Sequence, residues 1–182
     1  MLVETLVVAF WALLPAYVPN NAASLFGGGP PIDGERTLGG RRVLGDGKTW
    51  RGLAAGLLAG VALAIVLSEL APMLAPAVPV VDALPRFSRG AAFGLAGGAM
   101  AGDMAASFVK RRLDRDRGQA TPGLDQLDFV VGALVLAAVL DPAWVGEWIT
   151  LPVLAVALVV TPVLHVGVNA AGYAAGLTKE PY

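Results

Sequence analysis

Several residue types that mark common classes of protein are absent or scarce in this chain of 182 residues. It contains no cysteine, which excludes disulfide bonds, thiolate metal sites and cysteine nucleophiles. Its single histidine disfavours a zinc site, because zinc takes most of its ligands from Cys and His. Charged residues make up only 15%, and a formal net charge of −1 provides no basic field for nucleic acid. We therefore expect no nucleic-acid partner.

Apolar residues dominate what is present. They make up 56% of the chain, and the mean hydropathy is +0.67, which is too apolar for an ordinary soluble domain. A helix needs roughly 17 to 25 mostly apolar residues to span a bilayer. The sequence predicts an all-α integral membrane protein, a single polytopic domain over residues 1–182. Its five predicted spanning helices cover residues 2–19, 53–71, 88–109, 129–140 and 149–176.

The basic residues are concentrated in two places. Ten of the thirteen Lys and Arg lie in residues 36–51 and 110–117. Lys and Arg close to helix ends stay on the cytoplasmic side, which predicts two cytoplasmic loops at about residues 20–52 and 110–128. The N-terminus is then outside and the C-terminus inside, which requires an odd number of spans. The first span carries Glu4 and no base, unlike a secretory signal, so we interpret it as retained.

Glycines recur every four residues in the second and third predicted helices. Helix association in a bilayer depends on close backbone approach, so these stripes predict packing seams. The seams could serve a homodimer as well as a monomer. They comprise Gly52, Gly56, Gly60, Gly90, Gly94, Gly98 and Gly102.

Asp103 lies within a predicted spanning helix, where a carboxylate costs about 2.5 to 3.5 kcal/mol on insertion scales. Lys110 is nearly two helical turns further on, and Ser107 lies on the same face between them. One interpretation is a carboxylate neutralised for structural reasons. The other is a polar site at the membrane face.

Two further acids favour the polar site. Asp125 and Asp128 are three residues apart, on one side of a helical turn. Carboxylates gathered beside bases suit Mg²⁺, which takes oxygen ligands and keeps waters or phosphates in its shell. We therefore expect Asp103, Asp125 and Asp128 to bind Mg²⁺. Arg112 and Arg117 are interpreted as membrane anchors.

The first loop contains a second phosphate-compatible element, from Gly45 to Gly52. Glycines allow the backbone to approach a phosphate, a helix start presents free N–H groups, and Lys48 supplies a positive charge. The spacing is not that of a Walker P-loop. The glycine-rich residues 27–31 and 39–40 could form a flap over the site or a loose connector. Asn20 and Asn21, at a membrane edge, could contact nucleotide or lipid, or cap a helix.

The run from Gly102 to Phe129 reads GDMAASFVKRRLDRDRGQATPGLDQLDF. It resembles the signature of the CTP-dependent phosphatidate cytidylyltransferases, the CDP-diacylglycerol synthases. The matching positions are Asp103, Ser107, Lys110, Arg111, Asp116, Gly118, Pro122, Gly123, Asp125 and Asp128. The residues Lys48-Thr49-Trp50 and Gly52 resemble the family's Lys-Thr-x-Glu-Gly motif, which stands at the start of a helix. The His-Gly-Gly of bacterial members is missing here, and Arg51 stands where they have Glu.

The short chain, the five spans and the first-loop motif look more like the archaeal branch, the CDP-archaeol synthases. The resemblance implies that CTP and a prenylated lipid, 2,3-di-O-geranylgeranylglycerol 1-phosphate, react to give a CDP-lipid and pyrophosphate with Mg²⁺. Asp103, Lys110 and Lys48 would be catalytic. The expected substrate-binding residues are Asn20, Asn21, Asp46, Lys48, Thr49, Ser107, Lys110 and Arg111.

Two alternatives remain open from the sequence. A bacterial-type CDP-diacylglycerol synthase would share the chemistry and differ in its lipid tails. A small membrane transporter or a non-catalytic scaffold would also carry charges in helices, although distributed through the membrane depth. His165 and Asn169, in the last predicted helix, are interpreted as packing polar residues.

Overall fold

A computed structural model of the chain describes residues 2–77, 83–115, 124–174 and 176. The elements in this part of the chain are mostly helical. They are α1 (Leu2–Phe26), β1 (Thr37–Leu38), β2 (Arg41–Arg42), α2 (Trp50–Leu74), a 3-10 turn (Ala75–Ala77), α3 (Arg89–Arg112), α4 (Leu124–Leu140), α5 (Pro142–Trp148) and α6 (Leu151–Ala174). The predicted helical membrane protein is confirmed. The β1–β2 hairpin, a two-stranded antiparallel pair, adds a small sheet to it.

Among the described residues, four helices are long and apolar enough to cross a membrane: α1, α2 with its 3-10 turn, α3 and α6. The helix α4 has 17 residues, which corresponds to about 26 Å at 1.5 Å per residue. That length is at the lower limit for a membrane crossing. The fifth crossing therefore stays a prediction.

The prediction for the end of the first helix was wrong. The helix α1 continues past Pro19 to Phe26. A proline removes one N–H from a helix, so Pro19 leaves the carbonyl of Pro15 without its usual partner. That carbonyl faces Gly60 of α2, where an added methyl group would lie 2.7 Å from the carbonyl oxygen. The first connecting loop consequently starts at Gly27, seven residues later than expected, and Asn20 and Asn21 lie inside the helix, where neither caps it.

The segment between the last two predicted helices is also more ordered than expected. It was predicted as a loop and forms the short helix α5. The carboxylate of Asp141 caps this helix by accepting from the Trp144 backbone N–H at 2.9 Å. The Trp144 indole then donates to the carbonyl of Arg86 at 2.8 Å, which joins the two loops at this end of the bundle.

The glycine stripes are used within the chain. The helices α3 and α4 run antiparallel, and a methyl group on Gly98 or Gly102 would collide with the backbone carbonyl of Gly132 or Asp128. In α2, a methyl group on Gly56 would lie 2.7 Å from the carbonyl oxygen of Pro19 in α1. The seams therefore join α1 to α2 and α3 to α4, as small-residue stripes do in membrane bundles. The homodimer stays a prediction, and these stripes do not support it, because they pack against helices of the same chain.

Candidate active site

A polar cavity of about 490 Å³ lies where α1 and α3 end and α2 begins, beneath the first connecting loop, residues 27–49. Its volume is within the usual range for small-molecule sites. Eight residues predicted to bind substrate or act in catalysis line it: Asn20, Asp46, Lys48, Thr49, Asp103, Ser107, Lys110 and Arg111. Three of these side chains are basic and two are acidic, so the cavity has a positive excess that suits an anionic ligand.

The two ends of the first loop pair with each other and so place Lys48 at the cavity. The Ile32 N–H donates to the Lys48 carbonyl at 2.7 Å, and the Trp50 N–H donates to the Pro30 carbonyl at 3.4 Å. Thr49 is buried, and its hydroxyl caps α2 by accepting from the Gly52 N–H at 3.1 Å. The loop is therefore a folded element at the start of α2.

Asp33 organises the interior of this loop. Its carboxylate accepts from the backbone N–H groups of Glu35, Leu44 and Gly45 at 2.9 to 3.1 Å, and from the Arg42 guanidinium at 2.6 Å. The side chain is only 1% exposed. The Arg42 hydrogen bond and the three backbone donors hold the pKa of the Asp33 carboxyl well below its ordinary range. The charged form of Asp33 thus holds the fold of the loop.

Arg112 ties the hairpin to the end of α3. Its guanidinium donates to the carbonyls of Leu38, of Arg42 at 2.9 Å and of Arg41 at 3.3 Å. Arg41 in turn pairs with Asp114 at 2.8 Å. Arg112 was interpreted as a membrane anchor, and its position in the structure shows that it also fastens the first loop to α3.

Two lysine–carboxylate pairs lie next to each other at the cavity. Lys48 of the first loop pairs with Asp103 of α3, and Lys110 of α3 pairs with Asp125 of α4. All four side chains are between 21% and 24% exposed, so both pairs are largely shielded from solvent. The Coulomb attraction between two shielded charges is stronger than that between exposed charges, because less water screens it.

Asp128 lies beside these pairs. The backbone carbonyl of Asp128 lies against Gly102, the neighbour of Asp103, across the α3–α4 seam. The three acids predicted to bind a metal therefore all lie where α3 and α4 meet, with Asp125 paired to Lys110 of α3. Asp125 and Asp128 do not line the cavity.

Two predicted substrate contacts are placed differently from the others. Asn21 lines a separate cavity and donates to the Tyr17 carbonyl at 3.2 Å. Asp46 is at the rim of the polar cavity, 75% exposed, and pairs with Arg42. The Asp46 carboxylate thus helps Arg42 to hold the loop.

In the described part of the chain, no group of three or more acidic or histidine side chains is already arranged to hold a metal ion. The donors nevertheless fit Mg²⁺ by type, because Asp103, Asp125 and Asp128 supply only oxygen ligands. Two of these carboxylates are occupied by lysines, which are themselves suitable partners for phosphate.

Sequence reasoning missed several residues that shape the site. Met100 and Met104 line the cavity from the same face of α3 as Asp103 and Ser107, and their helical spacing was a usable signal. The pairing of Asp33 with Arg42 had no such signal, because it depends on how the loop folds.

Some predicted positions lie outside the described residues. These are Asp116, Arg117, Gly118, Pro122 and Gly123. The side chains of His165 and Asn169 are also outside the description, and their interpretation as packing residues stays a prediction.

Comparisons with known proteins agree with one another. A family model described as CarS-like, CDP-archaeol synthase, matches residues 2–182. The CDP-archaeol synthase of Halobacterium salinarum is 61% identical over 181 residues, covering 100% of this chain and 99% of that protein. The CDP-archaeol synthase of Methanococcoides burtonii is 46% identical over 177 residues, covering 93% of this chain and 100% of that protein.

A solved structure extends the likeness to the fold. It is described as an intramembrane enzyme for archaeal membrane lipid biosynthesis, with a TM-score of 0.71 and 39% identity. The match covers 88% of this chain and 92% of that one. These findings confirm the archaeal branch that the short chain and the first-loop motif indicated, and favour it over the bacterial-type and transporter interpretations. The chain therefore belongs to the CDP-archaeol synthase family, a family of membrane-embedded, CTP-dependent cytidylyltransferases.

Proposed function

We propose that this chain transfers CMP from CTP to 2,3-di-O-geranylgeranylglycerol 1-phosphate. An oxygen of the lipid phosphate forms a bond to the α-phosphorus of CTP, the α–β anhydride bond breaks, and pyrophosphate leaves with the bonding electrons. The observation that carries the proposal is the convergence of Lys48, Lys110 and Arg111 on one polar cavity at the end of a membrane bundle. A triphosphate and a lipid phosphate could meet only at such a boundary.

The reaction does not require a general base. A phosphate monoester has a second pKa of about 6, so it is already an anionic nucleophile near neutral pH. The barrier is the crowding of negative charge between two phosphates. Lys48, Lys110 and Arg111 lower that barrier by neutralising the charge and holding the two substrates in line.

We propose that Asp103, Asp125 and Asp128 bind Mg²⁺ when CTP is present. Bound Mg²⁺ would neutralise the triphosphate and stabilise the departing pyrophosphate. The lysines now paired with Asp103 and Asp125 would turn to the phosphates, and these two carboxylates would become available as ligands. The ion pairs would thus hold both partners in place until substrate arrives.

We also propose that the cavity faces the cytoplasm, with the N-terminus outside and the C-terminus inside. Support comes from the two basic stretches, which both lie at the cavity end of the bundle, where Arg112 and the Arg41–Asp114 pair join them. This topology requires α4 as the fifth crossing, and α4 packs along α3 through Gly98 and Gly102.

The direct test is CTP-dependent synthesis by the purified protein in detergent or vesicles. We expect pyrophosphate and CDP-lipid in equal amounts, and only when lipid phosphate, CTP and Mg²⁺ are all present. A competition assay with ether-linked prenyl and ester-linked acyl lipid phosphates would test the lipid class, and we expect the ether lipid to dominate. Pyrophosphate release without lipid phosphate, or a preference for the acyl lipid, would contradict the proposal.

A further inference from the structure

A second cavity, of about 400 Å³, opens beside the polar one. One wall is a face of α1 that carries Phe10, Leu14 and Tyr17, and the other is a face of α6 that carries Leu164 and Val168. The spacing of three and four residues on each helix shows that a single face of each is used. We call this cavity the α1–α6 groove.

The middle of the groove is apolar because its two hydroxyls are paired with each other. The Tyr17 hydroxyl and the Thr161 hydroxyl form a hydrogen bond of 2.8 Å, and Thr161 is fully buried. The Phe129 ring packs edge-on against the Tyr17 ring, with centroids 5.8 Å apart. Hydroxyls that are paired in this way need no further partner, so this part of the groove suits a ligand segment without polar atoms.

The groove is continuous with the polar cavity. Asn20 and Ser24 line both. The Asn20 Oδ1 atom at this junction is buried and has no hydrogen-bond partner in the described residues. An unpaired buried polar atom costs free energy, which a ligand with a polar group at this point would recover. A molecule lying across the junction would therefore be polar at Asn20, anionic beyond it and apolar in the groove.

The rim of the groove also has access to the bilayer. Phe10 is 48% exposed and Val168 is 51% exposed, on helices that are long and apolar enough to span the membrane. From Phe10 to Asn20 the groove follows ten residues of α1, or about 15 Å at 1.5 Å per residue. A hydrocarbon chain could thus enter sideways from the membrane and lie along α1.

We propose that the α1–α6 groove binds an isoprenoid chain of the lipid phosphate, with the glycerol at Asn20 and the phosphate in the polar cavity. The inference rests on the proposed function, because it assumes that the lipid phosphate is a substrate. It assigns the lipid tail to α1 and α6, with Val168, two turns beyond the Tyr17–Thr161 hydrogen bond toward the polar cavity, beside the part of the tail nearest the glycerol.

The absence of cysteine allows a binding test that needs no turnover. A single thiol is introduced by Val168→Cys at the groove rim, or by Val163→Cys as the control on the same helix. Val163 is 69% exposed and does not line the groove. We expect the long-chain isoprenoid glycerol phosphate, without CTP, to slow maleimide labelling of the Val168→Cys variant at least fivefold and to leave the Val163→Cys variant unchanged. Equal protection of both thiols, or of neither, would overturn the proposal.

A kinetic test replaces the same residue by a larger side chain and needs no thiol label. Val168→Trp should raise the KM for the long-chain lipid about tenfold, which corresponds to lost contact with roughly two methylene groups. The KM for CTP should stay as in the wild type, as should all values for Val163→Trp. A Val168→Trp variant that raises the KM for CTP by the same factor, or behaves like Val163→Trp, would contradict the assignment.

The two tests separate the groove from the proposed function. If the wild type makes no CDP-lipid while the long-chain lipid still protects the Val168→Cys thiol selectively, the proposed function fails and the groove assignment stands. If the wild type is active and neither test shows selectivity for Val168, the groove assignment fails and the proposed function stands.

Discussion

Lys48 and Asp103 form an ion pair at the polar cavity although 55 residues separate them in the chain. One partner comes from the loop before α2 and the other from the middle of α3. The pair therefore fastens the first loop to α3 at the cavity, and its two members are the first residues to test.

Replacing either partner should remove most of the activity. In Lys48→Met and Asp103→Asn we expect CDP-lipid synthesis to fall at least 100-fold, since loss of one positioned charge costs about 10²–10³ in rate at such sites. Both variants should insert and purify normally. Initial rates with saturating CTP would measure the loss. Arg36→Met, which removes an exposed base from the same loop, is the matched control and should retain activity. Full activity in Lys48→Met or Asp103→Asn would refute the site assignment.

Replacing the acids of α4 should weaken Mg²⁺ binding more than lipid binding. Asp125→Asn and Asp128→Asn each remove one charged oxygen donor, so the Mg²⁺ concentration for half-maximal activity should rise at least tenfold. Titration of activity with Mg²⁺ at fixed CTP–lipid ratios would measure this. Glu147→Gln, in α5 at the other end of the bundle, is the control. An unchanged Mg²⁺ requirement in both α4 variants would exclude them as ligands.

Arg112 should act on CTP affinity through the first loop. In Arg112→Gln the three carbonyl contacts with the hairpin are lost, and a looser loop presents Lys48 less often. We expect the KM for CTP to rise about five- to tenfold with kcat within twofold of the wild type. Arg112→Lys should rescue only in part, because an ammonium cannot reach several carbonyls with the geometry of a guanidinium. Arg89→Gln, at the opposite end of α3, should match the wild type; a drop in kcat alone would argue against this role.

The pH dependence of the first loop should follow Asp33. Its pKa is lowered in the folded loop, so the charged carboxylate stabilises the loop fully above its ordinary pKa of about 3.9. That stabilisation is lost progressively as the pH falls below about 4, towards the lower folded pKa. Hydrogen exchange of the Leu44 and Gly45 amides, which both donate to Asp33, would report it.

In the wild type we expect the protection of these two amides to be constant from pH 8 to pH 5 and to decline below pH 4. In Asp33→Asn it should be lower by about tenfold or more from pH 8 to pH 5, since a hydrogen bond to a charged group contributes about 1.5–3 kcal/mol, and the difference from the wild type should shrink below pH 4. Asp114→Asn, at an exposed carboxylate on the other side of the hairpin, is the control. Protection that is the same in Asp33→Asn as in the wild type would contradict the role of the charge.

The α3–α4 seam should tolerate no added methyl group. In Gly98→Ala the new Cβ would meet the Gly132 carbonyl, and we expect a loss of about 1–3 kcal/mol in the free energy of unfolding. Gly167→Ala in α6 is the control, because a Cβ there meets nothing within 4 Å. Thermal denaturation in detergent would compare the two. Equal midpoints would show that the seam can widen without cost.

The helices were predictable because the signals for them are local. An apolar run of spanning length and a four-residue glycine period can be read directly in the sequence, and both appear as α2 and α3. Helix ends were less predictable. The first span was predicted to end at Pro19, but the chain stays helical to Phe26, as proline is tolerated inside helices of membrane bundles.

The sequence by itself determined that this protein belongs in a membrane, that its bases gather in two stretches, and which acids and lysines are available for chemistry. The tertiary structure decided how they meet. It placed Lys48 against Asp103, used Asp33 and Arg112 to fold the first loop onto α3, and set Asn20 between the polar cavity and the α1–α6 groove. Hydropathy and periodicity are properties of neighbouring residues, whereas these arrangements depend on hydrogen bonds and contacts between distant parts of the chain, which only the packed helices bring within reach.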